Sequence, residues 1–261
     1  MIDKITKLGY SKVEAEELLK ISNNIEQDYN KLKEKYPIQY LIGYVNFYGY
    51  KINVNENVLI PRYETEYLVE KLIKYNNKVF NNKKVNILDL CTGSGAIGIV
   101  LSKEINSNVT ISDISKKALE VAKNNAILNN TNINIIESDL FNNINDKFDI
   151  IISNPPYVSY DEEIDDSVKL YEPNIALYAD DNGLYFYKKI LNNIKKYLNN
   201  KYIIAFEIGY NQGKELIEYS KNIFKNDNIF VEKDLSNKNR YLFIIHEWYI
   251  HVFLYVNKSS N

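Results

Sequence analysis

Two residue types that often carry metal or redox chemistry are nearly missing from this chain. It holds one cysteine, Cys91, and two histidines, His246 and His251, among 261 residues. A single cysteine excludes an internal disulfide framework and a cysteine-rich zinc site, and it fits a reducing compartment such as the cytoplasm. Both histidines lie in the C-terminal tail. That leaves no His–Glu–His metal pattern, so no metal is expected, and no Ser–His–Asp arrangement for nucleophilic catalysis. A strong excess of one charge sign is lacking too. The net charge of −2 argues against bulk electrostatic capture of nucleic acid. No stretch reaches the roughly 18 uncharged apolar residues of a membrane span, and Met1-Ile2-Asp3-Lys4-Ile5 opens without the apolar core of a signal peptide. Internal repeats are absent. What remains is 45% hydrophobic and 25% charged, the composition of a soluble globular protein. The length suits one large domain, or a domain with a small attachment, able to bury its core without disulfides.

Residues 1–36 read as a short, polar-rich helical region. Ser11-Lys12-Val13-Glu14 fits a capping box, and Ala15, Leu18, Leu19 and Ile25 follow at helical spacing. Pro37 is expected to end it. Residues 37–60 then read as a β-hairpin linker, with Tyr44–Tyr48 and Tyr50–Val54 flanking Gly49. After Pro61-Arg62 a helix is expected from the pairs Leu68/Leu72 and Val69/Ile73. From Val85 onward strands and helices alternate. Strands are expected at Val85–Leu90, Val109–Asp113, Ile133–Ile136, Phe148–Ser153, Tyr202–Ile208, Ile229–Lys233 and Tyr241–Ile245. Helices fit Ala96–Glu104, Lys116–Asn129, Leu184–Leu198 and Gln212–Phe224. This alternation implies an α/β fold with an open parallel sheet covered on both faces, whose ligands sit beyond the carboxyl ends of the strands.

Those strand ends carry chemistry. Gly93-Ser94-Gly95-Ala96-Ile97-Gly98 follows one strand and opens a helix, which permits close backbone approach to a ligand. Asp113 lies twenty positions after Gly93, at the end of the next strand, where a carboxylate can accept from both hydroxyls of a ribose. Alone, this pattern does not separate a dinucleotide site from an S-adenosylmethionine site. A dehydrogenase would also need a proton-moving group, often a histidine, and none lies outside the tail. The fourth expected strand ends instead in Ser153-Asn154-Pro155-Pro156-Tyr157. Two prolines have no N–H to offer, so the corner presents carbonyls and the Asn154 side chain. Such a corner suits an –NH₂ group, which needs an acceptor for each proton.

Asn154-Pro155-Pro156-Tyr157 resembles the NPPY motif of S-adenosylmethionine-dependent methyltransferases acting on amide or exocyclic amino nitrogens. The likeness extends further. Asn57–Glu66, reading N-V-L-I-P-R-Y-E-T-E, resembles the V-L-I-P-R-P-E-T-E signature of the PrmC/HemK family, protein-(glutamine-N5) methyltransferases of peptide chain release factors. Pro37–Gly43, Phe47-Tyr48-Gly49, Asp89–Gly98, Tyr171–Leu177, Asp181–Leu184, Phe206–Gly209 and Gln212-Gly213 resemble further blocks in the family's order, over residues 37–245.

The resemblance implies a class I, Rossmann-like methyltransferase domain over residues 61–245, with a seven-stranded, mostly parallel sheet. It implies S-adenosyl-L-methionine as methyl donor and S-adenosyl-L-homocysteine as product. Cys91, Thr92, Gly93, Ser94 and Gly95 would wrap the methionine part, Asp113 would hold the ribose, and Leu140 would lie by the adenine. Asn154, Pro155, Pro156 and Tyr157 would grip the substrate amide, while Arg62 and Glu66 shape the substrate mouth. The implied partner is the Gly-Gly-Gln loop of class I release factors, met by a cytoplasmic monomer without stable nucleic acid binding. Other readings are an NPPY enzyme acting on a ribosomal-protein glutamine or a nucleobase amino group, a non-catalytic S-adenosylmethionine-binding factor, and a nucleotide-linked oxidoreductase. Tyr63 stands where the signature has proline, and Cys91 where the cofactor loop usually has glycine, which asks for a backbone angle compatible with a Cβ. The family's N-terminal docking domain is shortened here. Residues 246–261 form an extension whose run Trp248–Val256 reads as an additional packed strand, with a partner-binding segment or a poorly ordered extension as the alternatives.

Overall fold

A computed structural model describes residues 1–247. The extension's expected strand lies outside the described residues. The chain begins with α1 (Ile2–Thr6), α2 (Lys12–Ile21), α3 (Ile25–Lys33) and α4 (Ile38–Ile42). The expected capping box starts α2: Ser11 N–H donates to Glu14 Oε2 at 2.9 Å, and Glu14 N–H donates to Ser11 Oγ at 3.2 Å. Pro37 does not end the helical region as expected. It caps the entry of α4, where a missing N–H removes no helical bond. Ile38 then completes a small core with Ile5, Ala15, Leu18 and Leu32. The helical lobe therefore runs to residue 42.

Strands β1 (Tyr44–Phe47) and β2 (Tyr50–Asn53) pair as an antiparallel hairpin. Both turn residues, Tyr48 and Gly49, have positive φ, at 50° and 81°, as a two-residue turn matched to strand twist requires. Phe47 and Ile52 plug this hairpin into the main core. Helix α5 (Tyr63–Phe80) follows and lays Leu68, Val69 and Leu72 on the same core.

The remainder alternates β3 (Val85–Leu90), α6 (Ala96–Glu104), β4 (Ser107–Asp113), α7 (Lys116–Leu128), β5 (Asn134–Glu137) and β6 (Phe148–Ser153). Then come α8 (Asp166–Tyr171), α9 (Tyr185–Asn193), β7 (Leu198–Glu207), α10 (Gly213–Ile223), β8 (Asn228–Lys233) and β9 (Asn239–His246). The strands form one seven-stranded sheet in the order β5-β4-β3-β6-β7-β9-β8. The first five strands are parallel, as the alternation implied. β9 departs from that pattern, running antiparallel to both β7 and β8, because a tight turn returns the chain directly from β8. The expected helix Leu184–Leu198 is shorter than its pattern. Its last turn is a 3-10 turn over Ile194–Tyr197, and Leu198 already belongs to β7.

The sheet is apolar on both sides, which explains the run Ile150-Ile151-Ile152. Ile150 and Ile152 pack with α5 and α6, whereas Ile151 packs with α9. Chain order reverses between β3 and β6, since β4 lies on one side of β3 and β6 on the other. That reversal opens a crevice at the carboxyl ends of these two strands.

Candidate active site

A cavity of about 150 Å³ occupies the crevice. Cys91, Thr92, Gly93 and Ser94 line it from the loop after β3, and Asp113 lines it from the end of β4. Leu140 contributes from the loop after β5, and Asn154 and Pro156 from the corner after β6. Gly95 does not line it. This residue opens α6 behind the loop, where an added Cβ would stand 3.0 Å from Ala122 Cβ. Gly98 packs α6 on the sheet, because a Cβ there would come within 2.3 Å of Ile111 Cγ2.

Two acids organise the loop. Asp113 Oδ2 accepts from Gly93 N–H and Oδ1 from Ser115 N–H, both at 2.9 Å. Burial raises its pKa, opposed by those backbone donors. Asp89, buried at the end of β3, accepts from Thr92 Oγ–H at 2.5 Å and Gly98 N–H at 2.9 Å through Oδ2. Its Oδ1 has no hydrogen-bond partner among the described residues. Burial pushes the Asp89 carboxyl up to about 7. Cys91 has φ 62°, a left-handed backbone that favours glycine. Burial, then the nearby Asp113, holds its thiol protonated.

A second cavity, of about 200 Å³, shares Leu59, Arg62, Asn154 and Ala176 with the first. Tyr157 and Glu207 also line it. Thr65 Oγ–H donates to Glu207 Oε2 at 2.6 Å, Tyr157 O–H donates to Oε1 at 3.3 Å, and Asn154 Nδ2 donates to Thr65 Oγ1 at 3.4 Å. Burial raises the Glu207 pKa, with the Thr65 hydrogen bond and Arg240 opposing it. Burial and the adjacent Glu207 keep the Tyr157 phenol protonated.

The backbone around Tyr157 is held by Gln212, whose Nε2 donates to the Tyr157 carbonyl at 3.0 Å while its Oε1 accepts from Gly209 N–H at 2.8 Å. Glu172 closes the other side. Its Oε2 accepts from Ile60 N–H at 3.0 Å, and its Oε1 pairs with Arg62. This joins the segment before α5 to the segment after β6, so that Pro173, Ile175 and Ala176 wall the first cavity.

The structure brings together most residues singled out from sequence: Cys91 to Ser94, Asp113, Leu140, Asn154, Pro156, Tyr157 and Arg62 all face one or both cavities. Gly95, Glu66 and Pro155 line neither, although Pro155 is buried between two residues that do. The position beside Glu66, Thr65, faces the first cavity instead, since α5 turns by about 100° per residue. Sequence reasoning gave no role to Thr65, Glu172, Glu207 or Gln212. Each stands inside a block resembling the family, but only packing reveals which atoms they hold.

The family model Methyltransferase small domain matches residues 64–170. The chain is 42% identical over 213 residues to the release factor glutamine methyltransferase of Lactococcus lactis, covering 80% of this chain and 77% of that protein. It is 45% identical over 217 residues to the enzyme of that name from Flavobacterium psychrophilum, with 80% and 75% covered. With the enzyme of that name from Bacillus subtilis, identity is 38% over 232 residues, with 86% and 79% covered. Among solved structures, a methyltransferase from Pyrococcus furiosus superposes with a TM-score of 0.56 at 18% identity, over 76% of this chain and 89% of that one. The T. thermophilus 16S rRNA methyltransferase RsmC, in complex with AdoMet and guanosine, gives 0.56 at 14%, over 78% and 50%. These structural likenesses establish the fold. The sequence relatives establish more, and the chain belongs to the release factor glutamine methyltransferase family.

Proposed function

We propose that the chain transfers a methyl group from S-adenosyl-L-methionine to the side-chain amide nitrogen of the glutamine in the Gly-Gly-Gln loop of class I release factors. One observation carries the reading: Asn154 stands in the wall common to the two cavities. A donor in the first and an amide in the second would meet at that residue.

The residues fit the cofactor. Each oxygen of Asp113 has accepted one backbone N–H and keeps a lone pair for a ribose hydroxyl. Cys91 to Ser94 would hold the methionine part, with the buried Asp89 fixing their loop through Thr92 and Gly98. Ile114, Leu140 and Phe186 offer apolar surface for a base. When bound, the sulfonium supplies an electrophilic methyl group.

The amide nitrogen is a poor nucleophile because its lone pair is delocalised into the carbonyl. Asn154 Oδ1 and the Pro155 carbonyl would each accept one amide hydrogen and fix the nitrogen toward the methyl. They also favour the positive charge that develops on nitrogen, so catalysis is positioning with electrostatic preorganisation. The methylated nitrogen becomes acidic and loses its proton after transfer. Tyr157 lines the second cavity, where its ring would cover the amide plane. The reading implies a cytoplasmic monomer meeting its release factor transiently, with Arg62, which lines both cavities, at the substrate mouth.

The test is transfer of labelled methyl to an intact release factor and to one carrying Gln→Ala in its Gly-Gly-Gln loop. Label only on the intact protein supports the proposal. Equal label on both moves the target to another residue, and label only on ribosomal protein or RNA overturns it.

A further inference from the structure

Thr65 and Glu207 face the two cavities from opposite elements, α5 and the end of β7, and meet through a hydrogen bond of 2.6 Å. Both are buried, with relative exposures of 5% and 2%. While Glu207 is ionised, the protons along this contact run in one direction. An ionised carboxylate has none to give, so Thr65 and Tyr157 both donate to Glu207. Thr65 has a single hydroxyl proton. With it committed to Glu207, Thr65 Oγ1 can only accept from Asn154. The asparagine amide must therefore turn its Nδ2 to Thr65, at 3.4 Å, and leave Oδ1 for the cavities.

We propose that Thr65 and Glu207 are positioning residues that fix the Asn154 side-chain amide with its oxygen toward the substrate. The inference rests on the reading of Asn154 Oδ1 as acceptor of a substrate amide proton. Loss of the carboxylate charge reverses the chain. A glutamine or a protonated Glu207 can donate to Thr65 Oγ1, which frees the threonine proton to point at Asn154. The amide then flips and offers an –NH₂ to another –NH₂.

The titratable and charged groups around Glu207 are Glu64 from α5, Tyr157 after β6, Tyr187 from α9, and Arg240 and Tyr241 from β9, with Arg62 lining the same cavity and acting on Tyr157. Arg240 favours the ionised form. It is itself anchored elsewhere, donating to Asp234 at 3.2 Å and to the Ile208 carbonyl at 3.3 Å. Tyr187 donates to the Glu207 backbone carbonyl at 2.6 Å, not to the carboxylate. Thr65 and Tyr157 are thus the hydroxyls that the carboxylate itself orders.

The experiment compares E207Q, T65V and T65S with wild type and N154A, using S-adenosyl-L-methionine and an intact release factor. It reads kcat, KM, cofactor affinity by calorimetry, melting temperature and the pH profile of kcat. Removing a preorganised acceptor should lower kcat by about 100-fold in E207Q and T65V, with cofactor affinity within about threefold and T65S recovering most of the rate. The wild-type kcat should fall on the acid side as Glu207 protonates, and E207Q should lack that limb. An E207Q kcat within about threefold of wild type, or a T65S as slow as T65V, overturns the inference. Should E207Q not fold, the pair T65V and T65S decides alone. Inactive N154A beside active E207Q removes only the positioning role. Active N154A removes the reading of the asparagine itself.

Discussion

Cys91 sits at φ 62° in a loop position that glycine would occupy without strain. The left-handed backbone costs about 1 kcal/mol for a residue with a Cβ. Restoring glycine would relieve that strain, but it would also remove a side chain packed against the core and enlarge unfolded-state freedom. C91G should therefore change stability by no more than about 1 kcal/mol and leave cofactor affinity nearly unaltered. A more than about tenfold loss of affinity by calorimetry would instead mean that the thiol itself contacts the ligand. Asp89 carries a different consequence. Its folded pKa, about 7, lies above the ordinary 3.8. The fold therefore binds this proton more tightly than the unfolded chain does. Its stabilisation is complete below about pH 3.8 and is lost as pH rises through about 7, on the order of a few kcal/mol. D89N cannot ionise, so its melting temperature should fall less than that of wild type between about pH 5 and pH 8. Equal slopes would exclude Asp89 as the source.

At the scale of elements, the site is assembled by the connections after β6 and β7. Gly183 shows how tightly they meet. Its φ is 81°, and an added Cβ would stand 2.0 Å from the Tyr157 carbonyl oxygen and 2.5 Å from Gln212 Nε2. Neither is a free end, because Gln212 holds the Tyr157 carbonyl. Gly183→Ala must displace the Tyr157 backbone, and we expect at least about a 100-fold loss of kcat with cofactor affinity largely kept. Near-normal turnover would show that the loop repacks without cost. The strands that carry this assembly were readable beforehand, with β3 and β6 at their expected bounds, because their branched aliphatics admit no other burial. The short helix α8 and the 3-10 turn at Asn174–Ala176 gave no periodic signal. They are held by the buried Glu172, a tertiary contact across more than a hundred residues.

In the whole molecule, the N-terminal helices have their own small core and meet the rest of the chain through the hairpin, through Tyr40 packed with Ala118 and Val121 of α7, and through Tyr171 O–H, which donates to the Glu34 carbonyl at 2.9 Å. Leu18 is fully buried there with Ile5, Ala15, Leu32 and Ile38. Leu18→Ala should destabilise this lobe by about 2–5 kcal/mol. Hydrogen exchange should quicken over α1 to α4 while cofactor affinity is unchanged; a loss of cofactor binding would show that the lobe and the sheet are one cooperative unit. The hairpin is tied to the site through Asn125 of α7. Its Nδ2 donates to the carbonyls of Asn53 and Ser94 at 2.9 Å, and its Oδ1 accepts from Asn53 N–H at 2.7 Å.

Local pattern alone determined the strand–helix alternation, the glycine turn into α6 and the proline-rich corner that ends β6 at Asn154, because each depends on neighbours in the chain. The antiparallel β9, the helical turn after Pro37 and the partnership of Thr65 with Glu207 were decided by tertiary structure. Residues 142 positions apart share that hydrogen bond, and no sequence period encodes the facing of α5 toward the end of β7. Orientation of the Asn154 amide belongs to the same class. The residue type is written in the motif, but the side that its oxygen faces is set by a carboxylate brought there through folding.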